Sequence, residues 1–183
     1  MLRRLVLVTG PPASGKSTLV QPLAAALGFA LLSKDDIKES LFTSLHAAPN
    51  DPEVSRQLSH AATNLLWALA PRCPQLVLEA NFRTRDPRER AHLSALLALP
   101  NTSAVEVHCC LPLEEASRRF AERARTERHH PAHPLHQMSV EQLAEFADPF
   151  EITAVIEVDM LRPIAPPDLA QLVRAILDAE RPR

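Results

Sequence analysis

Tyrosine is absent from the 183-residue sequence, tryptophan occurs once and phenylalanine six times. So few rings leave no stacking platform for bases, which argues against single-stranded nucleic acid as a partner. Charge argues the same way. Lys and Arg number 20 and Asp and Glu 22, a formal net charge of -2, so bulk charge cannot hold a long nucleic acid, although a local basic patch stays open. Small-molecule partners are favoured, and nothing in the sequence points to a protein partner. Cysteine is scarce, and Cys73, Cys109 and Cys110 have the spacing of neither a zinc knuckle nor a secreted disulfide framework; a reducing cytoplasm is the expected compartment. Long apolar runs are missing too. Leu5-Val6-Leu7-Val8 follows Arg3-Arg4 but ends at a glycine turn, too short for a signal or membrane-spanning segment. No repeat, low-complexity tract or dividing linker interrupts the chain, and one domain is expected over 1–183.

What is present is a steady rhythm of apolar runs and amphipathic stretches. Hydrophobic residues make up 46%, ample for one core, and the 17 prolines sit mainly at element boundaries. Leu5–Val8 has the all-apolar pattern of a strand buried on both faces of a parallel sheet. Leu19, Val20, Leu23, Ala24 and Leu27 recur at helical spacing before Gly28, predicting a helix over Lys16–Leu27. Phe29–Leu32 is then a second strand; Ser33 can cap a helix carrying Ile37, Leu41 and Phe42; and Asp51-Pro52-Glu53 opens a longer helix that Pro71 and Pro74 end. Strands over Leu76–Leu78, Ala104–Cys110 and Ala154–Val158 alternate with helices over Pro87–Leu99, Leu113–Arg125 and Pro167–Ala179. The pattern specifies an α/β three-layer sandwich with a five-stranded parallel sheet. Residues 126–138, polar and proline-broken, read as a lid ahead of a helix over Val140–Phe146.

Gly10-Pro11-Pro12-Ala13-Ser14-Gly15-Lys16-Ser17 fits the phosphate-binding pattern G-x-x-x-x-G-K-[ST] between an apolar strand and an amphipathic helix. Its chemistry follows from the residue types. The two glycines let consecutive backbone N–H groups face one anion, Lys16 adds a point charge, and the Ser17 hydroxyl can ligate magnesium. Thr18 completes the segment. Such a loop binds nucleotide phosphate in switches, motors and kinases alike, so the class must come from elsewhere. After the second strand stand Ser33-Lys34-Asp35-Asp36-Ile37-Lys38, which puts a carboxylate at a strand's carboxyl end, where ligands of open α/β sheets collect and where Asp35 could take a hydroxyl proton. Asp35 and Asp36 would equally suit a helix amino terminus, whose dipole favours negative charge. Glu79 follows an apolar strand, the arrangement in which a carboxylate holds magnesium directly or through water, and Asn81 would face the same cleft. A GTPase is disfavoured because no Asn-Lys-x-Asp motif appears.

With these segments, and with Leu76–Phe82 and Arg118–Arg123, the sequence resembles the small P-loop kinases grouped as AAA-domain ATP-binding proteins, relatives of chloramphenicol phosphotransferase, zeta toxin and polynucleotide 5′-hydroxyl kinase. The likeness covers most of the chain, and its specific parts are Gly10–Thr18 and Ser33–Lys38. It implies Asp35 as general base, Asn81 as a substrate-side asparagine and Lys38 where relatives often carry a substrate-side arginine, whose bidentate fork a lysine does not reproduce. It also implies that Arg119 and Arg123, four residues apart on one helix face, neutralise charge on the transferring phosphoryl group.

Arg118, Arg119, Arg123, Arg125 and Arg128 could instead form a solvated face paired with Glu115, Glu122 and Glu127, and Arg83, Arg85, Arg88 and Arg90 a solvated helix start. His129, His130, His133 and His136 invite a zinc reading that no cysteine or carboxylate pattern completes; proton-dependent lid closure is the more economical idea. Trp67 is expected in the core. The sequence thus points to transfer of the γ-phosphate of ATP·Mg²⁺ to a hydroxyl of a small molecule. A polynucleotide 5′-hydroxyl kinase and a nucleotide-dependent switch that transfers nothing stand as alternatives.

Overall fold

The computed structural model describes residues 2–126 and 130–180. Five strands, β1 (Arg3–Thr9), β2 (Ala30–Ser33), β3 (Gln75–Glu79), β4 (Thr102–Cys110) and β5 (Ala154–Asp159), form one all-parallel sheet in the order β2-β3-β1-β4-β5. The helices are α1 (Lys16–Leu27), α2 (Lys34–Ser44), α3 (Pro52–Leu69), α4 (Pro87–Leu97), α5 (Leu113–Arg123), α6 (Val140–Leu143) and α7 (Pro166–Ala179). Sheet and helices make the three-layer α/β/α sandwich expected of the alternating pattern.

Strand alternation puts two apolar clusters on opposite faces of the sheet. Val6, Val8 and Val107 pack with Leu19 and Leu23 of α1 and Val173 and Leu177 of α7. Leu5, Leu7 and Leu78 pack with Leu66 and Trp67 of α3 and Leu93 of α4. Trp67 is therefore a core residue, its ring stacked on His92 with centroids 5.2 Å apart. A strand buried on both faces must be apolar throughout, which is why Leu5–Val8 contains no alternation.

Many of the prolines are helix starters. Pro52, Pro87 and Pro166 occupy the first turns of α3, α4 and α7, where a missing N–H costs nothing. Asp51 Oδ1 accepts the N–H groups of Glu53 and Val54 at 2.9 and 3.1 Å, and Asp86 that of Arg88 at 2.8 Å. Such caps contribute roughly 1 kcal/mol each. Several boundaries differ from the periodicity. The stretch Val140–Phe146 is one turn of α-helix closed by a capping box at Ser139 and Gln142, followed by a 3₁₀ turn over Ala144–Phe146. The helix α5 stops at Arg123, short of Arg125, and β4 begins at Thr102 because an edge of the ladder extends past the apolar run. No helix among the described residues is long and apolar enough to cross a membrane.

Candidate active site

The carboxyl ends of β1, β2 and β3 meet at the loop Gly10–Gly15. Three of its residues have positive φ: Gly10 at 128°, Ala13 at 62° and Gly15 at 101°. At Gly10 the requirement is also steric, since a Cβ there would lie 2.5 Å from the carbonyl oxygen of Cys109. Ala13 holds the left-handed conformation without glycine's freedom, at a cost of about 1–2 kcal/mol. A loop wound this way turns its amides inward as an anion-binding nest at the amino terminus of α1. Lys16, 4% exposed, folds back over the loop: its Nζ donates to the carbonyls of Gly10 and Pro11 at 2.9 and 2.8 Å. Burial pushes its pKa down, offset chiefly by Glu79 and then by Cys109 and Asp35, while Arg123 adds to the depression. The Ser14 hydroxyl is buried in the loop with no partner, and Thr18 Oγ1 donates to Gly15 O at 2.7 Å, leaving Ser17 exposed beside it.

Glu79 ends β3, registered against Ser33 of β2, and its Oε2 accepts the Ser33 hydroxyl at 2.7 Å. It is 3% exposed, and burial pushes its carboxyl above the usual range against the pull of Lys16. The same Ser33 oxygen caps α2 by accepting from Asp36 N at 3.5 Å. One serine therefore joins the metal-ligand candidate to the helix that carries Asp35. Asp35 is partly buried in the first turn of α2, and its charge acts on Lys16, Glu79 and Lys38. Asp36 is more open to solvent than Asp35, and its carboxyl is raised by the partial desolvation that remains and then by Glu39 and Asp35. Asn81, partly buried, lies two residues past Glu79.

Of the stretch 126–138, residues 127–129 with His129 and Arg128 lie outside the described residues; His130–His133 dock against α2, α3 and the loop between them, while Met138 O accepts the Ser117 hydroxyl of α5. Pro131 O accepts the Asn50 N–H at 3.2 Å and Ala132 O the Ser55 hydroxyl at 2.8 Å. Lys38 Nζ donates to Ser55 Oγ at 2.8 Å and, more weakly, to His133 Nδ1 at 3.5 Å. An ammonium has only protons to offer, so Nδ1 accepts, and the proton on Nε2 is donated to Glu39 Oε1, 3.0 Å away. Lys38, 5% exposed, is thus enclosed by this stretch, and burial lowers its pKa. The His133 bond holds the Glu39 carboxyl below its ordinary 4.5. A depressed carboxylate stabilises the docked state above its unfolded pKa and loses that contribution as pH falls through the docked value. Replacing Glu39 with alanine is expected to speed amide exchange at Asn50 by roughly tenfold at neutral pH, the effect of one hydrogen bond. The same variant should flatten the additional loosening expected of the unaltered protein as pH falls below 4.5, the ordinary value from which Glu39 is lowered. Exchange rates at Asn50 across pH check both.

The arginines divide. Arg119 Nε is paired with Glu115 Oε1 at 2.7 Å, and Arg118 bridges Glu115 and Glu122, so these two are engaged along α5 itself. Arg123 lies over the Phe120 ring, 5.5 Å from its centroid, and its charge acts on both Lys16 and Glu39. Arg83 and Arg85 are paired with Glu145 and Asp148 across the chain, and Arg90 donates to the carbonyls of Thr84 and Phe150. No group of three His, Cys, Asp or Glu among the described residues could hold a metal.

Two features had no counterpart in the pattern analysis. Thr9, Glu106 and His108 form a buried hydrogen-bonded set under the loop. A cavity of about 370 Å³ opens beside Pro11, lined by Cys110, Leu111, Pro112, Ala147, Asp159 and Leu161. The Cys109 thiol, beneath the loop, is pushed up to about 12 by burial.

Comparison with known proteins bears on the family and the fold. A cytidylate kinase of Ignicoccus hospitalis is 32% identical over 127 residues, 65% of this chain; the chain spans 64% of that relative's length. Among solved structures, a Chloroflexus aurantiacus protein provisionally described as a kinase superposes with a TM-score of 0.77 at 25% identity, covering 96% of this chain and 99% of its own. A shikimate kinase from Acinetobacter baumannii, solved with shikimate, gives 0.62 at 22% identity, covering 98% and 96%, and so shares the fold. The AAA domain profile matches residues 5–149, from β1 through the loop, Asp35, Glu79 and α5, and the chain belongs to that family, with the fold of the small P-loop kinases.

Proposed function

We propose that the protein is an ATP-dependent phosphotransferase that moves the γ-phosphate of ATP to a hydroxyl group of a small molecule. The observation that carries this reading is the placement of Asp35. Its carboxylate stands in the first turn of α2, with its charge acting on Lys16 of the loop and on Glu79. A base beside the phosphate site, rather than the phosphate site alone, is what a transferase needs and a binding module does not.

The loop residues fit a nucleotide phosphate: its nest of amides, the partnerless Ser14 hydroxyl and the Lys16 ammonium supply donors with no internal anion. Gly10, Pro11, Pro12, Ala13, Ser14, Gly15, Lys16, Ser17 and Thr18 would cradle ATP, and Ser17 and Glu79 would hold Mg²⁺. Bound ATP·Mg²⁺ supplies the phosphoryl group and neutralises part of its charge. Asp35 accepts the proton of the acceptor hydroxyl, with Asn81 and Lys38 on the acceptor side. Arg123 opposes charge on the transferring group; Arg119 joins it by leaving Glu115, which it pairs with at 2.7 Å. The lid expected over 126–138, of which 127–129 lie outside the described residues, would exclude water, which would otherwise compete as acceptor. Three free cysteines are consistent with a cytoplasmic protein.

The test is a phosphoryl-transfer screen of aminoglycosides, phenicols, sugars, shikimate, nucleosides and 5′-hydroxyl oligonucleotides, with Lys16→Ala as the blank. Cytidine monophosphate joins the set because of the cytidylate kinase likeness. Transfer to one small-molecule class, absent from the blank, is expected. Transfer to oligonucleotides, or tight ATP binding with no transfer to any acceptor, would replace the proposal with the polynucleotide-kinase or switch reading.

A further inference from the structure

Thr9 and His108 form the last rung of the β1–β4 ladder, and Glu106 lies two residues back on the same face of β4. They are 0%, 2% and 0% exposed, in a layer otherwise filled by Leu5, Leu7 and Ala104. Thr9 Oγ1 is 2.7 Å from Glu106 Oε1 and 2.8 Å from His108 Nδ1. His108 Nε2 is 2.8 Å from the Ala147 carbonyl, which can only accept, so Nε2 carries a proton. Glu106 takes the Phe150 N–H on both oxygens at 3.0 Å and the Glu151 N–H at 3.2 Å. The hydroxyl has one proton to give to two neighbours. Both contacts close as hydrogen bonds only when one more proton sits on Glu106 or on His108 Nδ1, and a side chain with a single ring-nitrogen equivalent cannot complete the set.

The position of this set matters. Thr9 is the last side chain before the loop, and Gly10 next to it has none with which to anchor itself. Gly10 nevertheless has to pass within contact of Cys109, the neighbour of His108, and its carbonyl holds Lys16 at 2.9 Å. Beyond Thr9 the β1–β4 ladder has ended, so these side-chain contacts tie down its final rung where the chain enters the turn.

We propose that His108 is a positioning residue for the phosphate-binding loop: through Thr9 it fixes the last rung of β1, and with it the start of the cradle. The proposal rests on the reading of Gly10–Thr18 as a phosphate site and is independent of the acceptor. A network that serves only stability would weaken folding without a preference for which bond is lost. The two ends of the imidazole can be separated, because an asparagine amide reproduces Nδ1 and a glutamine amide reproduces Nε2. His108→Asn keeps the Thr9 bond and gives up Ala147; His108→Gln does the reverse.

Isothermal titration with Mg²⁺·tripolyphosphate, which engages the loop without a nucleobase, reads the consequence, with thermal midpoints recorded in parallel. His108→Gln should weaken binding by about tenfold and His108→Asn by less than about twofold, with similar losses in thermal midpoint, since a misplaced anion cradle loses affinity steeply. Thr9→Val and Thr9→Ser give the same comparison from the other partner, and decide the matter if a His108 variant fails to fold. Valine should weaken binding about tenfold, and serine, which restores the hydroxyl, should recover most of it. Equal weakening in both members of each pair, or no weakening in either, overturns the proposal. Failure of the unaltered protein to bind tripolyphosphate overturns it earlier, along with the phosphate-site reading, and is distinguishable because no variant is needed to see it.

Discussion

Asparagine at position 35 is expected to lower phosphoryl transfer by about 10²–10⁴-fold, the range that a positioned general base contributes. ATP affinity should stay within about twofold, because the cradle's donors come from Gly10–Thr18 and none of them bonds to Asp35. Asparagine keeps the size of the side chain and its capacity to accept a hydrogen bond. What it loses is the ability to hold the acceptor's proton. The helix loses one favourable charge at its amino terminus, about 0.3–1 kcal/mol, so the protein stays folded and the kinetic loss is interpretable. Asp36→Asn is the matched comparison. Asp36 is exposed and its charge is felt by Glu79 less than that of Asp35, so this change should leave transfer within a few-fold. Rates from single-turnover transfer and affinities from direct ATP titration separate the two effects. If Asp36→Asn carries the loss and Asp35→Asn does not, the base is Asp36.

Alanine at position 16 should have the largest effect of any single change, at least a hundredfold in kcat, with ATP affinity falling as well, since the phosphate's point-charge partner is removed from a partly desolvated site. The ligand-free structure adds a second expectation. Lys16 has no carboxylate within ion-pair distance among the described residues, and its ammonium is held by the two carbonyls it covers. Removing it forfeits those bonds but also relieves the cost of burying a cation. The two effects oppose, so the thermal midpoint of Lys16→Ala should lie within a few degrees of the unaltered protein. Calorimetry on the ligand-free proteins checks this, and a large drop in midpoint would show that the lysine is structural as well as functional.

The elements were legible wherever one physical signal dominated. Leu5–Val8, Leu76–Leu78 and the helix starts at Asp51-Pro52 and Pro87 were plain because burial on both faces and proline at the first helical turn leave local marks. The phosphate loop was legible for the same reason, since its glycines answer to local backbone geometry. Arg119's partner could be foreseen, Glu115 being four residues away on the same helix. The enclosure of Lys38 could not, because His133 reaches it, and Ala132 reaches its partner Ser55, from far along the chain. Nor could the Thr9 network. The alternation of Glu106 and His108 inside an apolar strand was its one trace, and periodicity alone does not reveal that the partner is Thr9 or that Phe150 and Glu151 supply the N–H groups. Boundaries erred where tertiary contacts extend a strand or a turn tightens, as at Thr102 and Ala144.

The sulfur of Cys109 lies directly beneath the cradle, and its thiol is pushed up to about 12 by burial. Attack by alkylating agents and peroxides proceeds through the thiolate, which burial disfavours at neutral pH, and the buried position of Cys109 in β4 also screens it. Cys110, its neighbour, and Cys73 are partly exposed and are expected to react first. The loop thus rests on a buried, poorly nucleophilic cysteine, and oxidants that mark the surface of this protein are expected to leave its phosphate-binding floor unmodified until the sheet itself opens.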